Sequence, residues 1–127
     1  MEFFNDGHRD SLTGVMAPGL FYESARRLMA WSRRRGEALS LISVDLSALE
    51  GDGAIQLARN LTAELRGGDL LTRLGAHNFV LMIVGDEKAA RQLIFRLENS
   101  VLPRTKYSAV ALGNDGDLVE ALSGLGV

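Results

Sequence analysis

Few side chains in this sequence can do chemistry, and most of them fall in one stretch. Residues Arg66-Gly67-Gly68-Asp69 are followed by Leu-Leu-Thr-Arg-Leu-Gly-Ala-His-Asn-Phe79. An arginine fork can clasp a phosphate or pair with a planar acceptor edge, and a nearby carboxylate can accept from N–H groups. A plainer reading fits the same residues. Arg66 near a helix end favours the dipole, Asp69 after a Gly-Gly turn is common, and His77-Asn78 suits an exposed turn because Asn tolerates left-handed backbone. Asp45 ends an apolar run and reads as a polar strand-end residue. Together with His77 it offers two ligands, too few for a zinc site. A second cluster is Arg33-Arg34-Arg35, with Arg26 and Arg27 one to two turns earlier. It could meet phosphates or an acidic partner, or be the solvated end of a helix. Trp31 beside it is either a partner anchor or a half-buried helix residue.

Composition narrows the classes. With 127 residues, 46% of them hydrophobic and 24% charged, the chain can bury the core of one domain spanning 1–127. A net charge of −2 argues against non-specific nucleic-acid binding. The chain has no cysteine, which excludes disulfides, thiolate zinc sites and thiol nucleophiles. No apolar run approaches the roughly 18 residues of a membrane span, and Met1 to Asp6 is not a signal peptide. The expectation is a cytoplasmic domain, free or part of a larger protein, with no membrane insertion.

The elements that would position these residues follow from periodicity. Pro18 opens a helix running to Arg35, with Phe21, Ala25, Leu28, Met29 and Ser32 on one face and Gly36 as its stop. Leu39 to Leu46 is a largely apolar run of strand length, expected to be central and buried. Asp52 is expected to cap a second helix carrying Ala54, Leu57, Ala58, Leu61 and Leu65, closed by Gly67-Gly68. Leu70–Leu74 and Phe79–Val84 flank a four-residue connection and read as a hairpin. Asp86-Glu87 opens a third helix with Ala90, Leu93, Ile94 and Leu97, broken by Pro103. Tyr107–Leu112 reads as a strand and Asn114–Leu122 as a last helix. The order α-β-α-β-β-α-β-α predicts an α/β (α+β) fold, a ferredoxin-like sheet with helices packed on it.

Asp69 to Phe79 resembles the signature hairpin of the diguanylate cyclase (GGDEF) family, bacterial signalling domains, with its working residues replaced. In that family a strand reading roughly D-x-x-x-R-x enters a Gly-Gly-Asp/Glu-Glu-Phe turn and leaves as an apolar strand. Gly75 and Phe79 fit the outer letters, while Ala76, His77 and Asn78 stand between them. Asp10-Ser11-Leu12-Thr13-Gly14 matches the family's D-x-L-T-G opening motif, and Phe21 matches a phenylalanine seven residues later. Ala17-Pro18 replaces the Asn-Arg pair usual in between. Val44-Asp45-Leu46 matches the strand of the metal-binding aspartate, and Ser47 stands for the second acid. The family's guanine-holding Asn and Asp are missing, since Leu49-Glu50-Gly51 passes straight to a helix. Its closing A-K-x-x-G pattern and final strand are absent too. The nucleotide-cyclase-like order of elements agrees with the expected sheet.

The resemblance implies a degenerate catalytic centre. Joining two GTP molecules into cyclic di-GMP needs magnesium on the phosphates. One metal carboxylate would be a vestigial Asp45, the second falls at His77, and the following glutamate is Asn78. No cofactor is expected, and magnesium only with residual GTP binding. The resemblance also implies a product-binding inhibitory site. That site is an Arg-x-x-Asp ending five residues before the turn, matched by Arg66 and Asp69, with Arg96 as an added arginine from the next helix. Such an arginine would read guanine O6 and N7 or a phosphate, and the aspartate guanine N–H groups. Three readings follow in order: a silent signalling domain binding cyclic di-GMP at Arg66, Asp69 and Arg96; a nucleotide-independent module that dimerises or docks to a protein; and a live cyclase using Asp45.

Overall fold

Proline and glycine bracket the first helix. In a computed structural model, which describes residues 8–46, 51–99, 105–113 and 117–126, Pro18 opens α1 (Pro18–Arg35) at a position where its missing N–H costs nothing. Gly36 closes α1 in the left-handed region at φ 67°, its N–H on the Ser32 carbonyl. Phe21, Ala25 and Ser32 are buried, while Leu28 and Met29 are half-buried. Then follow β1 (Leu39–Asp45), α2 (Gly51–Glu64), β2 (Leu70–Gly75), β3 (Asn78–Val84), α3 (Glu87–Glu98), β4 (Tyr107–Leu112) and α4 (Leu118–Gly124). The order is the expected one.

The four strands form one sheet in the order β2-β3-β1-β4, and every neighbouring pair is antiparallel. Both βαβ units are split, with β3 inserted between β1 and β2, and β1 between β3 and β4. That is the ferredoxin-like arrangement. Helices cover both faces. Leu39 and Leu41 of β1 pack with Phe21, Ala25, Val80, Met82, Leu118 and Leu122 on the α1/α4 side. Ile42 and Val44 pack with Leu57, Leu61, Leu81, Leu93 and Leu97 on the α2/α3 side. Burial on both faces is why the apolar residues of β1 include neighbours such as Leu41-Ile42 and do not strictly alternate.

Several boundaries differ from expectation. Asp52 does not cap α2; the helix starts at Gly51, and Asp52 lies in its first turn, where its charge favours the dipole. The helix ends at Glu64, before Gly67-Gly68, and Arg66 closes a separate turn by accepting from the Asp69 N–H at 3.0 Å. Arg66 therefore does not end a helix. The cap of α4 is Asp117, which accepts from the Val119 N–H; Asn114 and Pro103 lie outside the described residues. Asp86 caps α3 by accepting from the Ala89 N–H, as its position suggested. The hairpin strands reach further than expected, leaving only Ala76-His77 at the tip, with an irregularity between Arg73 and Gly75. No helix among the described residues is long and apolar enough to cross a membrane.

Phe79 fills the α2/α3 side of the sheet with none of its surface exposed. Phe79→Ala is expected to cost about 3–5 kcal/mol, read in urea as a lower unfolding midpoint at unchanged slope.

Candidate functional site

Arg73 is the largest fully buried side chain among the described residues. A buried guanidinium must have its donors satisfied, and here they are aimed at two separate parts of the chain. Nη1 donates to both oxygens of the equally buried Asp10, at 3.2 and 3.4 Å. Nη2 donates to the Ala76 carbonyl at 2.9 Å and Nε to the Gly75 carbonyl at 3.2 Å. Asp10 also accepts from the Thr13 N–H at 2.9 Å and the Thr13 hydroxyl at 2.6 Å. Gly14 closes this turn at φ 78°, donating to the Asp10 carbonyl. Met16 then runs alongside β2, exchanging backbone bonds with Leu71 and Arg73, and its carbonyl also accepts from the Thr72 hydroxyl. The opening motif and the hairpin, 63 residues apart, are one hydrogen-bonded unit.

The hairpin tip faces the end of β1. Asp45 stands opposite Asn78 in register, and the Leu46 N–H donates to the His77 carbonyl at 2.7 Å. Asp45 is half-buried and His77 exposed. The Oδ1 of Asn78 is buried with no hydrogen-bond partner. The structure thus brings Asp45, His77 and Asn78 together. Among the described residues no group of three or more His, Cys, Asp or Glu could hold a metal ion. Ser47 and Glu50 lie outside the described residues.

The open end of the hairpin gathers the other expected residues. Asp69 Oδ1 accepts from the Val84 N–H at 2.9 Å, and Oδ2 from the Arg66 N–H at 3.0 Å. Each oxygen keeps a lone pair for a further donor. From α3, Arg96 reaches Glu64 at the end of α2, Nε to Oε2 3.3 Å, with both side chains well exposed. Arg66, Asp69 and Arg96 line one depression of about 100 Å³, together with Glu64, Ile83, Val84 and Leu93.

No protein-family model matches the sequence, and no curated protein does. Solved structures do match. A sensory box/GGDEF family protein from Caulobacter crescentus superposes with TM-score 0.76 at 22% identity, over 92% of this chain and 91% of that one. A DGC protein from Thermotoga maritima gives 0.75 at 18%, over 91% and 95%. The GGDEF domain of DgcB from Caulobacter crescentus, solved in complex with c-di-GMP, gives 0.76 at 11%, over 96% and 87%. The chain has the fold of a GGDEF domain.

Within this GGDEF fold, two features escaped the sequence. One is the partnership of Arg73 with Asp10. Its signal was an arginine inside the apolar run Leu70–Leu74, a charge that burial obliges to find a partner. The other is Glu64, which holds Arg96; a contact 32 residues apart between exposed side chains leaves no periodic trace. Removing one member of a buried ion pair leaves an uncompensated charge, so Asp10→Ala is expected to cost about 3–5 kcal/mol. The double variant Asp10→Ala with Arg73→Met is expected to be less destabilised than the sum of the singles, read in a double-mutant cycle of urea unfolding.

Proposed function

We propose that this domain is a catalytically silent signalling module that binds cyclic di-GMP at Arg66, Asp69 and Arg96. The observation that carries it is the meeting of these three residues, from the α2–β2 turn and from α3, around one depression. The cyclic di-GMP bound by the DgcB domain supports the ligand class. In this reading the Arg66 fork takes guanine O6 and N7. Asp69, already held by two backbone N–H groups, accepts the guanine N–H donors with its remaining lone pairs, so little ordering is needed on binding. Arg96 exchanges Glu64 for a ligand phosphate. An exposed ion pair is worth about 0–1 kcal/mol, so the exchange costs little.

Silence rests on the donor set at the hairpin tip. Magnesium takes hard oxygen ligands in octahedral geometry. Asp45 gives one carboxylate, Asn78 a neutral amide and His77 an imidazole, which suits softer metals; the set does not fit magnesium. Asn78 also carries no charge with which to act as a base. A second reading, nucleotide-independent docking, draws on the outer face of α1, where Arg26, Arg27, Arg33, Arg34 and Arg35 are all exposed. An acidic protein partner fits that face.

Calorimetry separates the two. Cyclic di-GMP is expected to bind in the micromolar range and to lose that binding in Arg66→Ala, whose exposed side chain can be removed without unfolding the domain. No heat from the unaltered protein would sink the ligand reading in favour of docking. Glu64→Ala, which frees Arg96 and removes a like charge from the anion's path, is expected to tighten binding several-fold. With GTP and magnesium at high protein concentration, no pyrophosphate release is expected; measurable turnover would overturn the silence.

A further inference from the structure

Among the described residues, two large apolar side chains are exposed, Phe95 at 68% and Val119 at 64%. Phe95 lies on the outer face of α3, next in sequence to Arg96. Lys88, Arg91, Gln92, Phe95 and Arg96 line a shallow, largely open concavity along one face of α3. The first four recur at i, i+3, i+4 and i+7 and so share one helical face. Gln92 and Arg96 also line the depression that holds Arg66 and Asp69; the two concavities meet at a common rim.

Size makes that rim matter. Sites for drug-sized ligands span about 300–1,000 Å³, whereas the depression at Arg66 and Asp69 is about 100 Å³. It can take the edge of one base, not a molecule of two purines and two phosphates. The rest of such a ligand lies outside it, either toward Thr62 and Leu65 on the far side of Asp69 or across Arg96 onto the α3 face, and only the second way offers an exposed aromatic ring. What waits there is an aromatic ring open to solvent, flanked by cations. A purine stacks on an aromatic face whatever its hydrogen-bonding edge, and the flanking cations complement a phosphate.

We infer that Phe95 is the stacking platform for the second base of a cyclic purine dinucleotide, with Lys88 and Arg91 facing its phosphate. This rests on the reading of Arg66, Asp69 and Arg96 as the first subsite. Arg91 is bridged to Glu87 at 2.7 Å, but its side chain is 72% exposed, and such a pair yields readily to a phosphate. Val119 has no such setting: Asp117 and Glu120 are its charged neighbours in sequence, and they repel a phosphate.

The test uses the full chain, cyclic di-GMP as probe, and the variants Phe95→Ala and Phe95→Trp. Phe95 is exposed, so neither substitution threatens the fold. Phe95→Ala is expected to weaken binding about tenfold, the size of one lost base stack. Phe95→Trp is expected to keep the affinity and to show ligand-dependent quenching beyond that of Trp31 in the unaltered chain. Unchanged affinity in Phe95→Ala, or no added quenching in Phe95→Trp, overturns the platform while leaving the first subsite standing. No binding to the unaltered chain removes both. Loss of a protein contact in Phe95→Ala with unchanged nucleotide affinity would reassign the ring to a docking surface and overturn the platform.

Discussion

The Asp10–Arg73 pair is the constraint on which the rest of the molecule is built. Two ions without water around them cost several kcal/mol each unless their geometry and remaining bonds are met. Here the guanidinium spends its donors on a carboxylate from the opening turn and on two carbonyls of the hairpin tip. The carboxylate takes its remaining bonds from Thr13. Nothing in this arrangement can move alone. If the opening turn shifts, Arg73 loses its counter-ion; if the tip opens, Gly75 and Ala76 lose their donor. The β2–β3 hairpin is therefore fixed at its closed end by a charge network, and at its open end by Asp69 holding Val84.

This places two groups of side chains at the two ends of one hairpin. The tip brings Asp45 opposite Asn78. At the other end Asp69 serves the fold through two backbone donors, whatever it binds. Arg96 is held by Glu64 of α2 instead.

Much of the fold was legible because it depends on period. The apolar stripe of α1, the largely apolar run of β1 and the paired runs of the hairpin each declare which faces are covered, and the split βαβ order follows. Helix starts were less legible. Asp52 looked like a cap but lies in the first turn of α2; a cap is decided by where the chain leaves the preceding strand, which local composition does not encode. Arg66, Asp69 and Arg96 were named through the family resemblance, and the structure lines one depression with all three. Arg73 with Asp10, and Arg96 with Glu64, depend on how the sheet closes and on which helix ends meet.

The bridge of Met16 to β2 has a consequence for how the sheet ends. A four-stranded sheet has two edges, and an uncovered edge is a template for another strand. Met16 exchanges backbone bonds with Leu71 and Arg73, so the β2 edge is partly occupied by the chain's own opening segment. The other edge, β4, pairs only with β1 among the described residues, and its sequence Tyr-Ser-Ala-Val-Ala-Leu has neither a charge nor a proline to discourage a visitor. Among the described residues the sheet is thus polarised: the β2 edge is partly occupied and the β4 edge is not.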